Sequence, residues 1–170
     1  MKEIYRKMGQ PSTYGAFCHL YVNGHYLGLY NHTERIEDDL LVSHFGGNAA
    51  DWEINEDLSS PGPRWTAMLG LTNYTDFPAY VDLENFADYM LLHIFADSED
   101  WPHHNGYAAT NPAIGFPYRF FVWDQEIVFD NHSINKISIN TGAGALFQKL
   151  RGFPEFRLLF ADRVRKHLFN

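Results

Sequence analysis

The chain is poor in cysteine, in clustered positive charge and in long apolar runs, and each shortage excludes a class of protein. Cys18 is the single cysteine among 170 residues, which rules out an intrachain disulfide and a thiolate zinc cluster. Lys and Arg number 13 against 21 Asp and Glu, for a net charge of −8, and no basic run interrupts that balance. Surfaces for nucleic acid or anionic membrane rely on clustered Lys and Arg, so both are argued against. No apolar stretch approaches the roughly 18 to 20 residues that span a bilayer. The first residues, Met1 to Lys7, carry charges where a signal peptide has an apolar centre. What the chain does have is 45% apolar and 16% aromatic residues, enough for one ordinary core in a single globular domain.

Turn residues divide that domain. Phe17 to Tyr30 reads as a β-hairpin, because aromatic and β-branched runs flank Asn23-Gly24, the dipeptide that best tolerates a tight hairpin turn. Glu34 to Phe45 reads as a short helix stopped by Gly46-Gly47, and Trp52 to Asn55 as a short strand. Ser59-Ser60-Pro61-Gly62-Pro63 is the strongest breaker. From Asp82 to about Phe95, Leu83, Phe86, Ala87, Met90, Leu91 and Ile94 recur at helical spacing, with Asp82 placed as N-cap. Gly106 to Thr110 and Tyr118 to Trp123 read as strands joined through Asn111-Pro112 and Gly115. A last helix begins at Pro154, its Phe156, Leu159, Phe160, Val164 and Leu168 lining one side.

The chemistry concentrates in two places. Asp100-Trp101-Pro102-His103-His104-Asn105 follows the long helix, and Trp123-Asp124-Gln125-Glu126 closes an apolar strand. An Asp, an Asn five residues on and a strand-borne Asp is the order of groups that protein kinases use. Asp100 is then the base that accepts or steers the proton of an acceptor hydroxyl. Asn105 offers a neutral oxygen to a hard cation, although Asn before Gly106 is also a common turn. Asp124 ends the run Phe120-Phe121-Val122-Trp123, where an unpaired carboxylate is costly, so metal ligation is expected of it. Glu126, two residues on and on the same strand face, is either a second ligand or a solvent-exposed acid. Asp100, His103, His104 and Asp124 together would suit a zinc hydrolase, but adjacent histidines on extended chain point apart. Glu34 either sits near a nucleotide, pairing with a phosphate-binding Lys or contacting the ligand, or caps the following helix. Tyr26, Tyr30 and Tyr118 are candidate adenine-stacking surfaces or core residues. Thr141-Gly142-Ala143-Gly144-Ala145 lacks the Lys and third Gly of a phosphate loop and reads as a helix entry.

Tyr21-Val22-Asn23-Gly24-His25-Tyr26-Leu27-Gly28-Leu29-Tyr30-Asn31-His32-Thr33-Glu34-Arg35 resembles the "vNGxYxGlYxxtER" segment of the CotH-type, spore-coat protein H-like, kinases. Val81 to Phe86 with Tyr89, then Asp100-Trp101-Pro102 and Asn105, then Arg119 to Glu126, follow in that family's order, and Leu146 to Leu150 through Arg157 also fits. The resemblance implies an α+β, atypical protein-kinase-like fold, mostly hinge region and large lobe. Residues 1–57 would hold the hairpin and the remainder of an incomplete small lobe, and 80–170 the helical large lobe. It implies ATP-dependent phosphoryl transfer to protein Ser or Thr, with Asp100 catalytic, Asn105, Asp124 and Glu126 holding magnesium or manganese, and Glu34, Tyr30 and Tyr118 near the nucleotide. Family members are often exported, so an extracellular or cell-surface location is expected. One departure is that the family's domain begins earlier, with basic, Gly- and Ser-containing strands for which Lys2 and Lys7 are poor stand-ins. The expectation is therefore a middle portion of a domain, inactive and poorly soluble alone. A pseudokinase-like binding module and a metal-dependent hydrolase are the alternatives.

Overall fold

The computed structural model describes residues 1–58, 62–102, 104–131 and 133–169. Asn23 and Gly24 take φ of 50° and 80°, the left-handed pair that suits the twist of antiparallel strands, and join β1 (Gly15–Val22) to β2 (His25–Thr33). The register runs from Gly15↔Thr33 through Phe17↔Asn31 to Val22↔His25, with an irregularity at Leu20/Tyr21. These two strands form a sheet of their own. Both of its faces are open: Phe17 and Leu29 are more than half exposed on one, and Tyr30 is 48% exposed on the other.

A second, antiparallel sheet has the order β3 (Glu53–Asn55), β4 (Gly106–Asn111), β5 (Phe116–Val122). Alternation along β5 sends Tyr118, Phe120 and Val122 to one face and Phe121 to the other. The first face meets buried side chains of α3 (Pro63–Gly70), α4 (Leu83–Ala96), α5 (Ala143–Leu150) and α6 (Pro154–Leu168). The second meets Ile36, Trp52 and Leu41, the last on α2 (Asp38–Phe45). Helix α4 starts where Asp82 Oδ1 accepts from the Asn85 N–H at 3.1 Å, satisfying one of the free donors of a first turn. Asn85 then completes the edge of β5: its Oδ1 accepts from the Phe120 N–H at 2.7 Å. Its Nδ2 donates to the Tyr5 hydroxyl at 2.9 Å, and that hydroxyl donates to the Phe120 carbonyl at 3.1 Å. Tyr5 lies on α1 (Lys2–Lys7) and is fully buried.

The α+β class stands, and the hairpin, α4, β4, β5 and α6 lie where patterning puts them. Helix α2 begins at Asp38, later than expected, and Pro63 opens α3 as its first helical residue. Part of the breaker, Ser59-Ser60-Pro61, lies outside the described residues. The packing does not follow a division at residue 57. Tyr5 joins the core of α4 and β5, and β3 pairs with β4, so residues before 57 are built into the same body as residues after 80. Among the described residues no helix is long and apolar enough to cross a membrane.

Candidate active site

The loop carrying Asp100 is held from several sides. Asp97 ends α4 in the left-handed conformation, φ 50°, its N–H returning to the last turn. The Lys136 ammonium donates to the Ser98 carbonyl, reaches the Glu99 carbonyl at 3.4 Å and lies 3.7 Å from the Asp97 carboxylate. Backbone bonds from Glu99 N–H to Ile127 O at 3.1 Å and from Phe129 N–H to Ala96 O at 2.7 Å tie this turn to the chain after Asp124. Trp101 is buried, its indole N–H donating to the Tyr89 hydroxyl at 2.8 Å. Gly142 passes so near that a Cβ there would sit 3.1 Å from the Pro102 carbonyl. Asp100 itself is half-buried, and its carboxylate has no hydrogen-bond or ion-pair partner among the described residues.

Asn105 and Asp124 meet at the open end of the β4–β5 pair, just outside the Gly106↔Val122 partnership. The Asn105 side-chain amide donates to the Asp124 carbonyl at 3.2 Å. Both residues hold positive φ, 56° and 44°, a region uncommon for side chains other than Gly and most accessible to Asn and Asp. Two expectations need correction here. Asp124 is exposed, so the burial cost that argued for metal ligation does not act on it. Glu126 does not share a strand face with Asp124, because β5 ends at Val122 and the positive φ of Asp124 breaks the alternation.

Asp124 and Glu126 line a cleft of about 530 Å³ between the hairpin and α1, with Lys2, Arg6, Phe17 and Asn31 on other walls. Lys2 is the residue that sequence reasoning set aside. Its ammonium donates to Thr33 Oγ1 at 2.9 Å and lies 4.3 Å from the centre of the Trp123 ring. Burial pulls its pKa below the ordinary lysine value, while the carboxylates of Asp124 and Glu34 act to raise it. Glu34 does not cap α2. Its carboxylate accepts from the Tyr14 N–H at 2.7 Å and stands 3.7 Å from His44, closing the base of the hairpin. Tyr30 pairs with Cys18 and so occupies the face opposite Phe17 and Asn31, away from the cleft. Tyr26 contacts His19 and Tyr21 on the exposed hairpin. Tyr118 is a core residue: fully buried, edge-on to Trp65 and bonded to Glu53, with its phenol driven far above the usual range by burial and then by that bond. It offers no stacking surface to a nucleotide.

His103 lies outside the described residues, and among the described residues no three His, Cys, Asp or Glu side chains gather around a common point. The donors at Asp124 and Asn105 are hard oxygens, one charged and one neutral. They fit a magnesium ion, which takes one or two protein oxygens and fills its shell from phosphates and water, rather than a self-sufficient protein cage.

Sequence comparison bears on the other half of the cleft. Residues 1–63 match the family model described as CotH kinase protein. The match runs from α1 through the hairpin, α2 and β3, consistent with a partial CotH domain, and at the level of the family it points to kinase-related function. The matched stretch contributes Lys2 to the cleft, whereas Asp100, Asn105 and Asp124 fall after it. No curated protein sequence matches the chain.

Lys136, Gln125 and Gly142 support the site without having been anticipated. Only Gly142 carried a signal, as one of two glycines before a helix, and its use is close approach to Pro102 rather than phosphate binding.

Proposed function

We propose that the chain is the core of an atypical, CotH-type protein kinase, with a protein-kinase-like arrangement of large-lobe residues, that transfers the γ-phosphoryl group of ATP to a Ser or Thr hydroxyl. The observation that carries this reading is the pairing of Asn105 with Asp124 in left-handed backbone across a cleft from Lys2. Phosphoryl transfer needs positioning and charge neutralisation more than covalent chemistry, and those are what this set supplies. Asp124 and Asn105 would hold magnesium or manganese, which when bound offsets charge on the phosphates. The Lys2 ammonium adds positive charge on the α1 side of the cleft. Asp100 accepts or steers the proton of the acceptor hydroxyl as that hydroxyl's oxygen bonds to the γ-phosphorus and the bond to the β-phosphate oxygen breaks, leaving ADP.

Transfer of radiolabelled phosphate from ATP to a generic acceptor protein, with magnesium or manganese, tests the reading. Label incorporated by the wild-type full-length protein and lost in Asp100→Asn supports it. Equal incorporation by both proteins would overturn the role of Asp100.

A further inference from the structure

Beneath the loop of Asp100 lies a histidine that the phosphoryl-transfer scheme does not use. His93, on the last turns of α4, is 1% exposed. Its ring stacks on Trp101, the neighbour of Asp100, with centroids 4.5 Å apart and planes 9° from parallel. Nδ1 lies 3.0 Å from the Ser98 hydroxyl. Nε2 is buried without a conventional hydrogen-bond partner, and so is Oε1 of Gln125. The Gln125 side chain is nonetheless close enough to interact with the imidazole, and a ring N–H and an amide oxygen are each the kind of group the other lacks. The other end of the same amide donates to the Trp123 carbonyl at 2.9 Å and reaches the Asp124 carbonyl at 3.5 Å. That Asp124 carbonyl is the one Asn105 binds.

We propose that His93 is a positioning residue, fixing the Asp100 loop through its stack on Trp101 and the Asp124 segment through Gln125. The role follows from the connections. One ring touches the residue beside Asp100, and one amide bridges that ring to the backbone of Asp124, so neither segment can shift without disturbing the other. With Nδ1 accepting from Ser98, the neutral ring would keep its Nε2–H for Gln125 Oε1. Packing alone would need only a flat ring in this place. Coupling needs the two nitrogens.

The inference rests on the phosphoryl-transfer reading, and its test separates the two. His93→Phe keeps a ring for Trp101 but removes both nitrogens, and Gln125→Leu cuts the bridge from the far side at a less buried position. In steady-state phosphoryl transfer by the full chain, each variant should lose about 10- to 100-fold in kcat, with KM for ATP within about twofold. The double variant should lose no more than the worse single one, because both changes break the same link. Hydrogen–deuterium exchange without nucleotide should show faster exchange in both 98–102 and 123–129 for either variant. Unchanged kcat in His93→Phe, losses that multiply in the double variant, or exchange confined to one segment would overturn the proposal. Absence of transfer activity in the wild-type full-length protein would overturn the kinase reading instead, leaving exchange to decide the coupling. Should His93→Phe fail to fold, Gln125→Leu carries the kcat and exchange arms.

Discussion

Asp124 and Asn105 hold backbone angles that most side chains avoid, and Asn tolerates that region nearly as well as Asp. Asp124→Asn is therefore a clean test of charge: the fold should survive while magnesium-dependent ATP affinity drops by an order of magnitude or more, since the charged metal ligand of the proposal is neutralised. Calorimetric titration reads this directly, and affinity equal to wild type would remove Asp124 from the metal site. Asp100 should behave differently. With Asp100 as the base rather than a metal ligand, Asp100→Asn should leave ATP affinity intact and lower turnover by roughly two to four orders of magnitude, the usual reach of a positioned base. A parallel loss of affinity would recast Asp100 as a binding or structural residue. Tyr118 provides the contrast within the original set of candidates. Its hydroxyl serves Glu53 and Asn55 in the core, so Tyr118→Phe should cost about 1–3 kcal/mol in urea unfolding and leave nucleotide affinity alone.

At the scale of elements, the long apolar periodicities and the Asn-Gly turn were legible because local chemistry alone decides them. Helix α1 was not, since six residues reading Lys-Glu-Ile-Tyr-Arg-Lys show no period, and Tyr5 is recruited by a tertiary bond to Asn85. The settings of Glu34 and Tyr30 were not legible for a related reason: strand parity and the hairpin base, not motif order, decide which side chains face the cleft. The helix-entry segment before α5 makes a testable case of tertiary use. Gly142 has φ 51° and would place a Cβ 3.1 Å from the Pro102 carbonyl, whereas Gly115 has φ 69° with nothing within 4 Å. Alanine at either position carries backbone strain of about 1–3 kcal/mol. Only Gly142→Ala should also displace Pro102 and with it Asp100, so turnover should fall well beyond that of Gly115→Ala at matched stability. Equal turnover in the two variants would mean that the contact with Pro102 has no bearing on the site.

For the whole molecule, the sequence singles out candidate residues but not what surrounds them, because burial and electrostatic setting come from contacts distant in the chain. His93 illustrates the consequence, since an apolar helix face gives no sign that a titratable ring is sealed inside it. Burial, followed by the nearby Lys136 ammonium, lowers its pKa from 6.5 to about 3; His167, beside Asp88 and Arg163 on α6, is also lowered, again chiefly by burial. Both rings are thus harder to protonate in the folded chain than in the unfolded one. Below pH 6.5 the unfolded state binds protons that the folded state refuses, so stability is fully present above that pH and falls as acid is added. For His93 alone, moving from pH 7 to pH 5 should remove about 2 kcal/mol, because the unfolded ring titrates over that span while the folded ring, with its value near 3, stays neutral. His93→Phe deletes this term and keeps the stack on Trp101. Urea unfolding at the two pH values should therefore show a smaller acid loss in the variant than in the wild type, by about 2 kcal/mol, whatever the other histidines and carboxylates contribute to both. The same acid sensitivity in the two proteins would mean that His93 accepts a proton in the folded state, and that the interior between α4 and Trp101 is open to water.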